Sequence, residues 1–581
     1  MSFNTYYQDE LAFLRDLGRE FAEANPSLAP FLAERSSDPD VERLLEGFAF
    51  LTGRIRQRLD DELPELTHGI LSLIYPNFLQ PVPATTIMEF APLANVVGAP
   101  RTVAAGVEVD SVPVDGTVCR FRTCAPVDLM PLRVADVGTQ RRGVTSDLRV
   151  QFAVLGGASP GDLGDRPLRL HLHGDIQTGR SLYLWSLNYL DGVTLELADG
   201  RRIDFGAEVV TPAGFGSDEA MLPFPPNAFQ GYRVLQEYFT LPERFLFIDV
   251  ARVLAAVARA GADRFSLIFR YSRALPDQVR PRSESLRLHC VPAINLFTTD
   301  AHPLRVDRAK SEYRVRPSGR EPAHAEVVTV DRVEGWSRGS ARRRSYSRFE
   351  SFSFDGTGGG SGFYRLRRQP SVMGDGVETY IAFVDRADRA AVPECETVSL
   401  ELTCCNRHLP TKLRAGDVHV PTGSAPEFAA YRNLAKPAPP ASPPLDSGLM
   451  WLLISNLSLN YVSLSDPDAL RVVLSAYNFR AFYDRQAERE QRLRLDGLRE
   501  TRVRTVDLLH RGMPVRGLRT ELTLSESKFA GEGEMYLFAT VLNQFFSLYA
   551  SINAFHQLVV HGAEMGETYT WPPTTGQQPI L

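Results

Sequence analysis

The chain has 581 residues, 44% of them hydrophobic and 23% charged, the balance of a soluble globular protein with room for several cores. A formal net charge of -6 is too small to mark a nucleic-acid surface or a disordered chain. The 40 prolines and 43 glycines demand many turns, which favours a β-rich protein with long connections over a helical bundle throughout.

Residues 1–80 form an N-terminal helical segment by pattern. Tyr7, Leu11, Leu14 and Phe21 recur at helical steps, with Gly18 at the missing position. That stripe suits packing on a second helix and makes these four residues a candidate partner-helix interface. Asp38 followed by Pro39 reads as an N-cap and a first-turn proline. Val41, Leu44, Leu45, Phe48, Leu51, Ile55 and Leu59 then share one face of the next helix. A third, short helix is expected over Glu65–Tyr75, ending at Pro76, and Pro81-Val82-Pro83 makes a stiff exit.

From about residue 85 the period turns alternating. Strands are expected at Thr85–Pro92, Val107–Val109, Cys119–Thr123, Leu168–His173, Leu182–Leu187, Val193–Leu197 and Phe265–Tyr271. A second set follows at Leu286–Cys290, Ala325–Val330, Thr379–Val384 and Val398–Thr403. Residues 436–444, Lys-Pro-Ala-Pro-Pro-Ala-Ser-Pro-Pro, read as an extended linker. Beyond it Trp451–Leu459, Pro467–Tyr477 and Glu532–Ala550 look helical, and Gly517–Leu524 and Gln557–Val560 look like strands. The fold class is therefore α+β and multidomain. It comprises the helical segment 1–80, β-rich domains over 85–275 and 280–435, and a smaller C-terminal α/β domain over 445–581. The second β-rich domain carries an Arg/Gly-rich loop at 338–368.

The densest stretch is Tyr232–Phe247. Arg233 and Glu237 are four apart and share a helical face. Pro242 should end that helix near Leu241, and the apolar run Phe245–Ile248 beyond it fits a buried strand. Core packing explains its aromatics without any chemistry.

Three motifs come nearest to chemistry. His171-Leu172-His173-Gly174-Asp175 could bring three ligands together, but structural zinc needs four, and a plain strand edge accounts for them. Cys404 and Cys405 precede His408, yet no base, orienting group or electropositive pocket is evident, so a reduced, partly buried pair at a strand end is expected. The glycine-rich residues 356–362 lack the Gly-Lys-Ser/Thr of a phosphate loop and depart from a nucleophile elbow. Flanked by Arg342, Arg343, Arg344, Arg348, Arg365, Arg367 and Arg368, they read as a solvated hairpin tip, although the arginines could hold phosphate or an acidic partner. Neither catalytic residues, cofactor nor metal are called for, and no nucleic-acid module appears. The runner-up reading is a β-rich hydrolase or carbohydrate-active enzyme acting through His171 and His173.

Six cysteines are too few for a disulfide scaffold, and a bridge between neighbours 404 and 405 would be strained. The opening Met-Ser-Phe-Asn-Thr-Tyr-Tyr lacks the pattern of a secretory signal, and no apolar run approaches the ~18 residues of a membrane span. A cytoplasmic protein without direct membrane insertion is expected.

Longer motifs run the length of the chain. They include Tyr6-Tyr7-Gln8-Asp9-Glu10-Leu11, Leu73-Ile74-Tyr75-Pro76, Tyr232–Phe247, Cys290-Val291-Pro292 through Phe297, and Asn406-Arg407-His408-Leu409-Pro410. Trp451 to Asn460, Phe529-Ala530-Gly531-Glu532-Gly533, Tyr536 to Phe546 and Trp571-Pro572-Pro573 complete them. Together they resemble the TssF (VasA/ImpG) family of type VI secretion baseplate subunits. One departure is the Arg/Gly-rich stretch after Val327–Val330, where that family has a shorter connection.

The resemblance implies a non-enzymatic wedge component with two TssF copies per TssG, joined to TssK. It also implies TssE and a VgrG spike hub as neighbours, and docking of the whole baseplate on the TssJLM membrane complex. Sheath and tube growth would start from that platform.

Overall fold

The computed structural model describes residues 7–8, 10–12, 14, 39–94, 96–156, 158–224, 229–306, 310–337, 343–349, 362–371, 376–384, 396–445, 447–457, 466–510, 513–550 and 554–576. They fall into two units: Met1–Ile74 with Leu445–Ser455, and Tyr75–Pro444 with Asn456–Leu581.

The first unit is helical. Residues 7, 8, 10–12 and 14 are helical, and a helix of 36 residues, α1, runs Pro39–Ile74. Pro39 sits at its first position, as expected. The expected separate helix over Glu65–Tyr75 does not exist, because α1 continues through Pro64. A proline costs one backbone bond and about 3 kcal/mol, whereas a break would expose two more helix ends and require a second nucleation. Near its end Thr67 meets the sulfur of Met450 at 3.9 Å, and Leu71, Met450 and Leu453 are buried.

In the second unit, alternation builds antiparallel sheets. A six-stranded sheet runs in the order Val418–Pro421, Glu108–Ser111, Arg120–Thr123, Cys290–Ile294, Thr85–Pro92, Ala429–Asn433. Its inward side chains, Phe90, Phe121 and Val291 among them, make one core, to which Leu409 and Leu413 of the neighbouring turn contribute. Residues 436–444 are pinned along this sheet rather than free, since Ala438 bridges Thr85 and Ala441 bridges Val82.

A five-stranded sheet runs Arg202–Gly206, Leu190–Leu197, Arg264–Tyr271, Thr145–Val154, Leu132–Arg142. A four-stranded sheet joins Val210–Ala213, Phe247–Val250, Leu168–Leu172 and Leu286–Arg287. Between them lies helix α2, Ile176–Asn188, which overturns the strand expected at Leu182–Leu187. Asp175 caps it by accepting the Thr178 amide at 2.8 Å, and Leu182, Tyr183, Leu184 and Trp185 are all buried. A run buried all round has no period, so helix and strand look alike in sequence.

Residues 297–405 form a further sheet around Phe297, Val333, Tyr346, Ile381 and Leu400. Here Arg343–Arg348 and Gly362–Pro370 pair in parallel, with Tyr346 opposite Gly362. The solvated hairpin tip expected at 356–362 falls, but for Gly362, on residues outside those described. Residues 350–361 themselves lie outside the described residues.

The C-terminal part pairs Leu498–His510 with Met513–Leu524, which pairs in parallel with Phe555–Gly562. Parallel neighbours need a crossover, and a helix of 18 residues, Glu532–Tyr549, supplies it. Of the face Leu537, Val541, Phe545 and Leu548 that helical spacing sets out, the first three are buried and Leu548 is half-buried, and Met535, Phe538, Leu542 and Phe546 off that face are buried as well.

Candidate assembly interface

The densest segment folds as a helix-to-strand corner. Helix Gln230–Thr240 ends at Leu241, where Pro242 opens a short 3-10 turn. That turn holds Phe245, so the strand begins at Phe247 rather than at Phe245. The Glu237 carboxylate meets Arg233 at 2.9 Å and Arg244 at 2.6 Å, all three fully buried. Its other oxygen accepts the Met221 and Leu222 amides at 2.7 and 2.9 Å. Tyr232 stacks on Tyr477 at 4.7 Å and shares a 2.6 Å hydroxyl contact with Tyr549, while Tyr75 packs edge-on at 6.0 Å. Four distant segments meet there. The Glu237 carboxylate and the Tyr232 hydroxyl are consumed in holding them.

The histidines do not converge on a metal. His171 is buried with its ring 4.5 Å from Phe247, and burial pushes its pKa down to about 3. Asp175 is spent as the cap of α2. The strand Leu168–Leu172 has neighbours on both sides, so it is not the expected edge. Among the described residues no cluster of His, Cys, Asp and Glu could hold a metal. Cys404 and Cys405 end a strand and are buried as free thiols; burial pushes Cys405 far above the ordinary thiol range. His408 is exposed and caps a turn nearby. A groove lined by Glu326 and Glu378 is the best place for paired carboxylates. Yet Glu326 accepts the Val377 amide at 2.6 Å, and Glu378 is paired with Arg314 at 2.7 Å.

Two of the arginines around 342–368 are held by other parts of the chain. Arg368 is half-buried and donates to the carbonyls of Leu79 and Val328, and desolvation of its guanidinium pulls its pKa down to about 9. Arg367 reaches Glu312 at 2.8 Å.

The helical unit is different. Leu44, Phe48 and Leu51 follow one helical stripe of α1, and their exposures are 74%, 59% and 59%. Phe50, Leu73, Ile74, Trp451 and Leu452 are exposed as well. Eight of the 18 large exposed apolar side chains among the described residues thus belong to this small unit. Of the four candidate interface residues, Leu11 is buried and Tyr7 and Leu14 are half-buried, while Phe21 lies outside the described residues.

A family model described as "Type VI secretion system, TssF" matches residues 1–578. The chain belongs to the TssF family. Among curated proteins it is similar to "Type VI secretion system component TssF1" of Pseudomonas aeruginosa, 30% identical over 627 residues that cover 99% of each. Among solved structures it resembles a chain of the TssK-TssF-TssG baseplate subcomplex, at a TM-score of 0.78 and 32% identity over 93% of this chain and 99% of that one. It also resembles a chain of the baseplate complex of the type VI secretion system, at a TM-score of 0.61 and 28% identity over the full length of both.

In this TssF-family chain the exposed helical stripe is the feature of interest. Leu44, Phe48 and Leu51 were legible as a helix face. Leu73, Ile74, Trp451 and Leu452 were not separable from core residues, because apolar spacing is the same whether the covering surface is in the chain or on a partner.

Proposed function

We propose that this TssF-family chain is a non-enzymatic structural component of a type VI baseplate wedge, assembled with TssG and TssK through its N-terminal helices. The exposed stripe Leu44, Phe48 and Leu51 carries the reading, since three large apolar side chains in water favour a covering helix. Similarity to a chain solved together with TssK and TssG supports those two partners. Tyr7, Leu11, Leu14 and Phe21 belong to the same bundle-forming segment, covered by TssG or a second TssF copy, with two copies per TssG. TssE and the VgrG hub complete the neighbourhood. The baseplate then docks on TssJLM, with the protein on the cytoplasmic side of the inner membrane. No helix among the described residues is long and apolar enough to cross a membrane. The division into segments 1–80, 85–275, 280–435 and 445–581 goes with this reading.

Co-production with tagged TssG and with TssK tests it. The expected result is a stable complex from which the chain is lost when Leu11, Leu14 and Phe21 are changed to aspartate, while its β sheets stay folded by circular dichroism. Unchanged capture by TssG would remove the bundle. Zinc bound stoichiometrically, or hydrolytic turnover lost on changing His171 and His173, would favour the enzyme instead.

A further inference from the structure

The five-stranded sheet that includes Thr145–Val154 and Arg264–Tyr271 buries one face through Leu148, Val150, Phe152, Phe265, Leu267 and Phe269. The positions that alternate with these stand on the outer face. In one row of that face Arg133, Ala153 and Arg264 are cross-strand neighbours. In the next row Gln151 stands beside Ser266, and Ser266 beside Glu196. Neighbouring strands lie about 4.8 Å apart, so the two arginines flank Ala153 with their backbones about 10 Å from each other. A single carboxylate seated over the alanine methyl is within reach of both. The small residues Ala135, Ala153, Ala198 and Gly200 leave a recess of about 400 Å³ there.

Charge in the recess is not balanced. Among the described residues Glu196 is its one carboxylate, and Glu196 is already shared by Arg149 and, at 2.6 Å, Arg202. Arg133 and Arg264 are exposed, and among the described residues they form no ion pair and donate no hydrogen bond. The side chains of Gln151 and Ser266 make none either. The paired positions of the outer face hold Arg133, Arg142, Arg149, Arg202, Arg264 and Arg270 against Asp136, Asp147, Glu196 and Asp204, an excess of two positive charges. Asp136, and Asp263 just before Arg264, do not line the recess.

We propose that this recess seats carboxylates of an acidic segment from a protein partner, an inference that rests on the assembly role above. A guanidinium offers paired donors that hold a carboxylate two-pronged, and the amide of Gln151 and hydroxyl of Ser266 add neutral donors beside it. A single free anion gains little here, since an exposed ion pair contributes about 0–1 kcal/mol and salt screens it. An acidic segment brings several carboxylates at once, so each after the first arrives at high effective concentration. A nucleic acid fits less well. Its backbone asks for a longer cationic track than two unengaged arginines, and the whole chain carries a net charge of -6.

The test titrates the full chain into fluorescein-labelled hexaglutamate at low salt and reads the anisotropy. Binding is expected, and R133E with R264E should weaken it about tenfold or more. The melting temperature should stay unchanged, because neither arginine is engaged within the chain. R133K with R264K keeps most of the binding, and R499E, at an exposed arginine of another sheet, keeps all of it. No binding, binding that R133E with R264E leaves intact, or an equal loss with R499E overturns the proposal. Displacement of the peptide by inorganic phosphate at equal concentration overturns it too, and assigns the recess to a free anion. Tighter binding of labelled oligothymidylate overturns it in favour of a nucleic acid. None of these readings requires TssG, so failure to capture TssG with hexaglutamate still bound overturns the bundle reading and leaves the recess standing.

Discussion

Glu237 follows Arg233 by one helical turn and holds its guanidinium at 2.9 Å, with both side chains almost wholly out of water. Arg244, from the turn beyond Pro242, closes on the same carboxylate oxygen at 2.6 Å. One negative charge thus serves two buried positive ones, and the two backbone amides of Met221 and Leu222 saturate its second oxygen.

Removing that charge should be severe. Glu237→Gln leaves two desolvated guanidinium groups without a counter-ion, which costs about 3–5 kcal/mol. Burial already disfavours the charged form of Arg244, and Glu237 is the largest influence opposing it. Urea denaturation at neutral pH checks this, with glutamine chosen because it keeps the volume and can still accept the Met221 amide. A loss below about 1 kcal/mol would mean the corner is not held by charge.

A second prediction concerns Gly533, the second residue of the helix Glu532–Tyr549. A Cβ there would stand 2.5 Å from the carbonyl carbon and oxygen of Arg180 in α2. Backbone cannot yield as a side-chain tip can, so Gly533→Ala should force the helices apart and cost about 1–3 kcal/mol. The separation would also stretch the Arg180–Glu534 pair, now 3.0 Å, and the Arg494–Glu534 pair, now 2.9 Å. A melting curve superimposable on that of the parent would show that the helices have slack.

Much of this packing was legible in the residues, for identifiable reasons. Pro242 ends a helix because it has no amide hydrogen, and Pro39 announces a helix start by its own chemistry. Leu182–Leu187 was misread because a fully buried run is apolar on every side. The hairpin of Leu132–Arg142 and Thr145–Val154 went unseen because its outer half is polar on both faces, with Gln140, Arg141 and Arg142 exposed. Parallel pairing of Tyr346 with Gly362 depends on contacts between segments, which no local pattern encodes. The candidate interface was half legible. Spacing gave the stripe of Leu44, Phe48 and Leu51, and the structure added that the chain leaves it uncovered.

Acid should destabilise the protein through three buried histidines. His171, His289 and His556 have pKa values lowered to about 3, 4 and 3 by burial, from an ordinary 6.5. Their folded-state values lie below the unfolded ones, so the unfolded chain binds the extra protons. Their stabilisation is therefore complete above pH ~6.5 and is lost as pH falls from there toward the folded-state values. Well below pH ~6.5 each contributes about 1.4 kcal/mol per pH unit. Between pH ~6.5 and ~5.5, where the unfolded imidazole passes from half to mostly protonated, each costs about 1 kcal/mol and the three together about 3 kcal/mol. His289 makes the reason concrete, since its Nε2 accepts the Met130 amide at 3.1 Å and cannot do so when protonated. Denaturation at several pH values checks the slope. His171→Phe and His556→Gln should each flatten it by about one proton, and an unchanged slope in both would assign the acid sensitivity elsewhere.

The stripe of α1 gives the last prediction, in which stability and assembly part company. Leu44, Phe48 and Leu51 are mostly exposed, so changing them to aspartate removes little packing within the chain and should leave its melting temperature unchanged. Burying a large apolar side chain completely is worth about 1.5–3 kcal/mol, so covering three of them supplies a gross gain near 4 kcal/mol or more, before the entropy of association is set against it. Carboxylates there forfeit that gain and add charges that a covering helix would have to desolvate. The triple variant is therefore expected to lose TssG in co-purification by well over tenfold, and the isolated chain to bind less of a hydrophobic dye. Phe48→Leu, which keeps an apolar side chain, should retain most of the capture. A fall in melting temperature matching the loss of TssG would show instead that the stripe is part of the chain's own core.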